Sequence, residues 1–185
     1  MTAPTGSLPP IGLIRERVWA LQEELSSSSG GRTRLLPMTK GFGPDAVRAV
    51  QDAGVSEIGE NYAQELLFKY REIDDVTVIW HMVGQLQRNK VRRLGGVVSL
   101  WQSVDRIELV NELARWVPGG RILVQVDVLD RPWQGGCRPG ELEALVVHAH
   151  ERGLTVAGLM TVGVEGERET NKQSFATTAR LEDQL

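Results

Sequence analysis

The sequence predicts an α/β fold built from repeated strand–helix units, and three observations carry that expectation. Apolar runs of strand length alternate with amphipathic helical stretches from about residue 35 to the end. The units recur at intervals of roughly 20–35 residues, which suits strands joined by crossover helices. Glycine or proline stands at most of the junctions. Consecutive strands joined by helices run parallel and wind one way, so a doubly wound sheet and a (β/α)8 barrel both fit.

Each element has its own signal. Ile11, Ile14, Val18, Leu21 and Leu25 recur at three- and four-residue steps and form one apolar stripe of a first helix. Pro9 and Pro10 precede it, and the run from Ser26 to Gly31 reads as a flexible linker that ends it. Leu35 to Thr39 is the first expected strand, with Pro37 an objection because proline cannot donate to a ladder. Gly43 and Pro44 open the second helix, Ala46, Val47, Ala49, Val50 and Ala53 form its inner face, and Gly54 stops it.

The pattern then repeats. Strands are expected at Val55–Gly59, Val76–Val83, Val97–Trp101, Arg121–Val128 and Leu154–Val162. Helices are expected at Asn61–Glu72, Gln85–Leu94, after Asp105, around Leu142–Ala149, and from Thr170 to Leu185. The helix after Asp105 has the strongest start signal. Asp105 can cap it, Glu108 sits three residues on, and Val104 can staple against Leu109. The count is six βα units plus an N-terminal helix.

Composition narrows the function classes. The chain has 185 residues, with 21 basic and 24 acidic side chains and a net charge of -3. That balance argues against a generally polycationic nucleic-acid binder. The basic run Arg88, Lys90, Arg92 and Arg93 reads as a solvated helix face. Cys137 is the single cysteine, so neither an intrachain disulfide nor a thiolate zinc cluster is expected. The N-terminus lacks a basic start and an apolar core, and no apolar run reaches the roughly 18 residues of a membrane span, so a cytoplasmic location is expected.

Function in either α/β architecture sits at the carboxyl ends of strands. The residues there are Thr39, Lys40, Glu60, Asn61, His81, Ser103, Asp127, Met160 and Thr161. Lys40 is the most suggestive, because an amine at the end of an apolar strand can be desolvated and freed for imine formation. An ordinary surface lysine is the competing reading. For His81 the competing reading is a hydrogen-bonded core histidine. No GxGxxG follows the first strand and no GxxxxGK[ST] occurs, so the usual nucleotide signatures are missing. His148 and His150 are two apart on a helix and face different ways.

Several motifs stand together in order: LPMTK at Leu36–Lys40, IGENYAQE at Ile58–Glu65, WHMVGQLQRNK at Trp80–Lys90, SVDR at Ser103–Arg106 and GLMT at Gly158–Thr161. With these the chain resembles the pyridoxal phosphate homeostasis protein family, whose fold is similar to the N-terminal barrel of alanine racemase. The resemblance covers about residues 11 to 182. It implies a (β/α)8 TIM-barrel type of fold and a single domain over residues 1–185. It also implies pyridoxal 5'-phosphate (PLP) as cofactor, held as an aldimine on Lys40, with Asn61 and His81 lining the pocket. Family members handle PLP and vitamin B6 balance without established turnover, so no catalytic residues and no metal are expected. PLP-dependent apo-enzymes are the implied recipients, and no nucleic acid or membrane is implied. A PLP-dependent racemase-like enzyme is the alternative, and it needs an acid/base group such as His81 across from Lys40.

The sequence departs from the family pattern in places. Phe42 and Gln134 stand where family members often carry further lysines, and Asp127 stands where asparagine is usual. The family also continues with strands seven and eight, which supply a phosphate cradle and an arginine facing the pyridine nitrogen. A length of 185 residues falls short of the roughly 200–250 of a complete barrel. An incomplete barrel is therefore expected, and a C-terminally truncated product with impaired PLP binding is a second alternative reading. Family members are monomers, and unpaired edges at strands one and six predict oligomerisation here.

Overall fold

A computed structural model describes residues 9–73, 77–131 and 133–185. The chain divides into two compact units, Met1–His81 and Met82–Leu185. Seven α-helices and five strands occur among the described residues, helix and strand alternating from α2 onward. They are α1 (Ile11–Ser29), α2 (Pro44–Asp52), β1 (Glu57–Glu60), α3 (Ala63–Glu72), β2 (Ile79–Met82) and α4 (Arg88–Leu94). Next come β3 (Val98–Val104), α5 (Ile107–Trp116), β4 (Arg121–Gln125), α6 (Leu142–Glu151), β5 (Thr155–Met160) and α7 (Arg168–Glu182). The sheet order is β1-β2-β3-β4-β5, with β3–β4 and β4–β5 parallel.

In the first unit α2 follows the sequence reading. Pro44 occupies its first turn, where the missing N–H costs nothing, and Ala46, Val47, Ala49 and Val50 are buried. Three expectations need correction. The serine run is helical rather than a linker. Ser27 and Ser29 return their hydroxyls to the carbonyls of Glu23 and Leu25 at 2.8 and 2.6 Å, and the left-handed Gly30 ends the helix. The α1 stripe is mostly not core, since Val18 is its one buried residue while Ile11 and Leu21 are about half exposed. Its polar anchor is the Trp19 indole N–H, which donates to the Ala53 carbonyl at 3.2 Å.

The first expected strand does not form in full. Leu35–Thr39 is reduced to one parallel bridge, Met38 to Gly59. Gly59 donates to the Pro37 carbonyl and Thr39 donates to the Gly59 carbonyl, but Pro37 has no N–H to extend the ladder. Five strands and a bridge therefore stand where six strands are expected. The start of the expected Val76–Val83 strand, Val76, lies outside the described residues; the strand that forms is Ile79–Met82.

The second unit has the apolar core that its helix pattern requires. Trp101 and Val104 of β3, Leu109, Val110 and Leu113 of α5, and Ile122 and Val124 of β4 are almost fully buried. Burying each such aliphatic side chain is worth about 1.5–3 kcal/mol. Leu142, Leu145, Val146 and Ala149 of α6 are buried as their spacing indicates. Asp105 does not cap α5. Its carboxylate instead accepts from the Arg106 guanidinium at 2.5 Å and the Gly136 N–H at 3.3 Å. The basic helix α4 reads as a solvated face, with the Arg92 guanidinium stacked over the Trp116 ring at 4.6 Å.

Candidate functional site

The bridge at Met38 feeds directly into a tight turn. Phe42 donates its N–H to the Thr39 carbonyl at 3.2 Å, which places Lys40 and Gly41 at the two central positions. Gly41 has φ +77°, the left-handed geometry that the third position of a type II turn demands. Lys40 is exposed at the tip of this turn, whereas Thr39 beside it is 2% exposed. The expected desolvated strand-end lysine is thus corrected to a lysine displayed on a turn. Among the described residues its amine has no hydrogen-bond or ion-pair partner.

A second lysine lies beneath this turn, and sequence reasoning did not single it out. Lys69 of α3 is 1% exposed. Its Nζ donates to Glu60 Oε1 at 2.5 Å and to the Thr39 carbonyl at 2.6 Å. The Thr39 hydroxyl also donates to Glu60 Oε1, at 2.5 Å. Glu65, one helical turn before Lys69, accepts the Gly41 N–H on Oε2 at 2.8 Å, and the same oxygen is 3.7 Å from Lys69 Nζ. The Glu65–Lys69 spacing of four residues, with the acid first, was a legible clue that both share one helix edge.

Glu60 ends β1 fully buried, and its second oxygen has no partner among the described residues. Burial pushes its carboxyl above the usual range, and the hydrogen bonds from Lys69 and Thr39 pull it part of the way back. Asn61 follows directly at the carboxyl end of β1 and is half-buried. His81 lies in β2, the neighbouring strand, and is 7% exposed. Lys40, Asn61 and His81 thus come from successive sheet positions: the bridge segment, β1 and β2. Open hollows of about 420 and 570 Å³ lie elsewhere, around Gly54, Val55 and Ser56 at the amino end of β1, and contain none of the three.

The second unit has a polar cluster of its own at its strand ends. The Gln125 side-chain amide donates to the Gly135 carbonyl at 2.5 Å, and the Ser103 hydroxyl donates to the Gly84 carbonyl at 2.7 Å. Asp127 accepts the Leu129 and Arg131 N–H groups at 3.2 and 2.5 Å, and Arg131 reaches the Val162 carbonyl at 2.7 Å. These bonds organise the loop after β4. No group of three metal-ligating side chains occurs among the described residues, and no described helix is long and apolar enough to cross a membrane.

Residues 14–185 match the family of the alanine racemase N-terminal domain. The pyridoxal phosphate homeostasis protein of Aquifex aeolicus is 34% identical over 158 residues, covering 82% of this chain and 69% of that protein. Its counterpart from Pseudomonas aeruginosa is 33% identical over 153 residues, covering 80% and 66%. The chain therefore spans about two thirds of the length of these relatives. PipY of Synechococcus elongatus, solved with PLP bound, superposes with a TM-score of 0.78 at 28% identity, covering 92% of this chain and 82% of PipY.

Proposed function

This chain belongs to the pyridoxal phosphate homeostasis protein family, and from that premise we propose that it binds PLP through Lys40 and turns over no substrate. PLP supplies an aldehyde, which condenses reversibly with a primary amine. The observation that carries the reading is the contrast between two lysines at one strand end. Lys69 is locked under the turn by Glu60 and the Thr39 carbonyl, while the Lys40 amine is exposed and unpartnered among the described residues. A lysine with its proton donors engaged and no route to solvent is a poor nucleophile. Lys40 has neither restriction, so the residues present fit the group.

In this reading Asn61 and His81 flank the cofactor from β1 and β2, and residues 1–185 serve as one PLP-binding domain. The family match over residues 14–185 supports one domain across that part of the chain. The absence of turnover is supported by the family's name and by the local chemistry. Glu60 and Lys69, the buried ionisable pair nearest Lys40 in this network, are engaged with each other. PLP supply to PLP-dependent apo-enzymes inside the cell is the role that follows.

The test is a PLP titration of wild type and Lys40→Ala followed by visible absorbance. A new band in wild type that is missing from the variant is expected. Equal bands in both overturn the Lys40 assignment. Amino-acid racemisation above a PLP-only control overturns the non-enzymatic part.

A further inference from the structure

We propose that Glu65 and Lys69 are positioning residues for Lys40, two side chains of α3 that grip the turn backbone on either side of it. The inference rests on the reading of Lys40 as the PLP-bearing amine. Four residues apart, they stand one above the other on α3. Lys69 takes the carbonyl of the residue before Lys40, and Glu65 takes the N–H of the residue after it. The Thr39 carbonyl also receives the Phe42 N–H that closes the turn. Lys69 is held in turn by Glu60 at the end of β1, so the turn is tied to helix and strand together.

The consequence is pre-organisation. Lysine side chains are long, and a turn free to move would let the Lys40 amine sweep a wide volume before condensing with an aldehyde. Fixing the two flanking peptide groups removes the backbone part of that freedom before the ligand arrives. Glu65 is the more testable grip, because its side chain is one-third exposed and its loss leaves the buried Lys69–Glu60 pair in place.

The experiment compares wild type, Glu65→Ala, Glu65→Gln and Lys40→Ala. PLP affinity is read from the absorbance titration, amide hydrogen exchange at Gly41 from its peptide, and folding from the thermal midpoint. Losing one charge-assisted hydrogen bond predicts roughly tenfold weaker PLP binding in Glu65→Ala, with faster Gly41 exchange and little change in melting. Glu65→Gln keeps an acceptor oxygen and is expected to stay within about twofold of wild type. PLP binding by Glu65→Ala at wild-type strength, with Lys40→Ala unable to bind, overturns the positioning role and leaves the Lys40 reading standing. A common loss of melting stability and binding in both Glu65 variants also overturns it, since that marks a merely structural role. Undiminished binding by Lys40→Ala overturns both.

Discussion

Lys69 Nζ lies 2.5 Å from Glu60 Oε1, and neither side chain reaches solvent. Such a pair is costly to desolvate and more costly to break, because the survivor is left as an uncompensated buried charge. Lys69→Met is therefore expected to destabilise the protein by roughly 3–5 kcal/mol in urea melts, and the Lys69→Met, Glu60→Gln double variant by clearly less than the two single losses added together. Strict additivity would show that the two side chains do not interact.

The same pair sets a pH dependence. Burial raises the Glu60 carboxyl above its unfolded value, and the Lys69 and Thr39 hydrogen bonds offset only part of that, so the folded state binds this proton more readily than the unfolded state does. The stability from this group is fully present below the unfolded value near 4.5 and is lost as pH rises through the higher folded value. Glu60→Gln removes the titration. The stability of wild type relative to Glu60→Gln should therefore be larger at pH 4.5 than at pH 7.5, read from urea melts at the two values. A relative stability that grows toward pH 7.5 contradicts the raised carboxyl.

Cys137 is buried after β4, and burial pushes its thiol up to about 11. The neutral thiol is a poor nucleophile, so modification by a disulfide reagent at pH 8 should be slow in the native protein and fast in urea. A native rate equal to the denatured rate would place Cys137 in solvent.

Gly136 has φ +133°, and a Cβ there would meet the Asp127 amide nitrogen at 2.7 Å. Gly136→Ala is expected to cost at least about 1–3 kcal/mol, measured as a lower urea midpoint. Gly140, where an added Cβ meets nothing within 4 Å, serves as the control, and Gly140→Ala should melt close to wild type. Equal midpoints in the two variants would contradict the strain.

Much of the fold was legible because its signals are local. The Gly43–Pro44 start and the small apolar face of α2 depend on neighbours within one helix, as does the buried face of α6. Asp105 reads as a cap, but its carboxylate is taken by the adjacent Arg106 and by the Gly136 N–H 31 residues on, and only the second is a contact that local spacing hides. The first strand shortened to a bridge where Pro37 interrupts donation. Lys40, Asn61 and His81 stand out in the sequence by strand ends and motifs. Lys69 does not, since a lysine between Phe68 and Tyr70 on a helix reads as solvated until its partners Thr39 and Glu60 are known.

We propose Lys40, and not the nearby Lys69, as the amine that holds PLP. The direct measurement is borohydride reduction of the protein mixed with PLP, followed by digestion and mass mapping of every lysine. A single stoichiometric PLP adduct on Lys40 is expected. An adduct on Lys69 or another lysine, or no adduct at all, would contradict it.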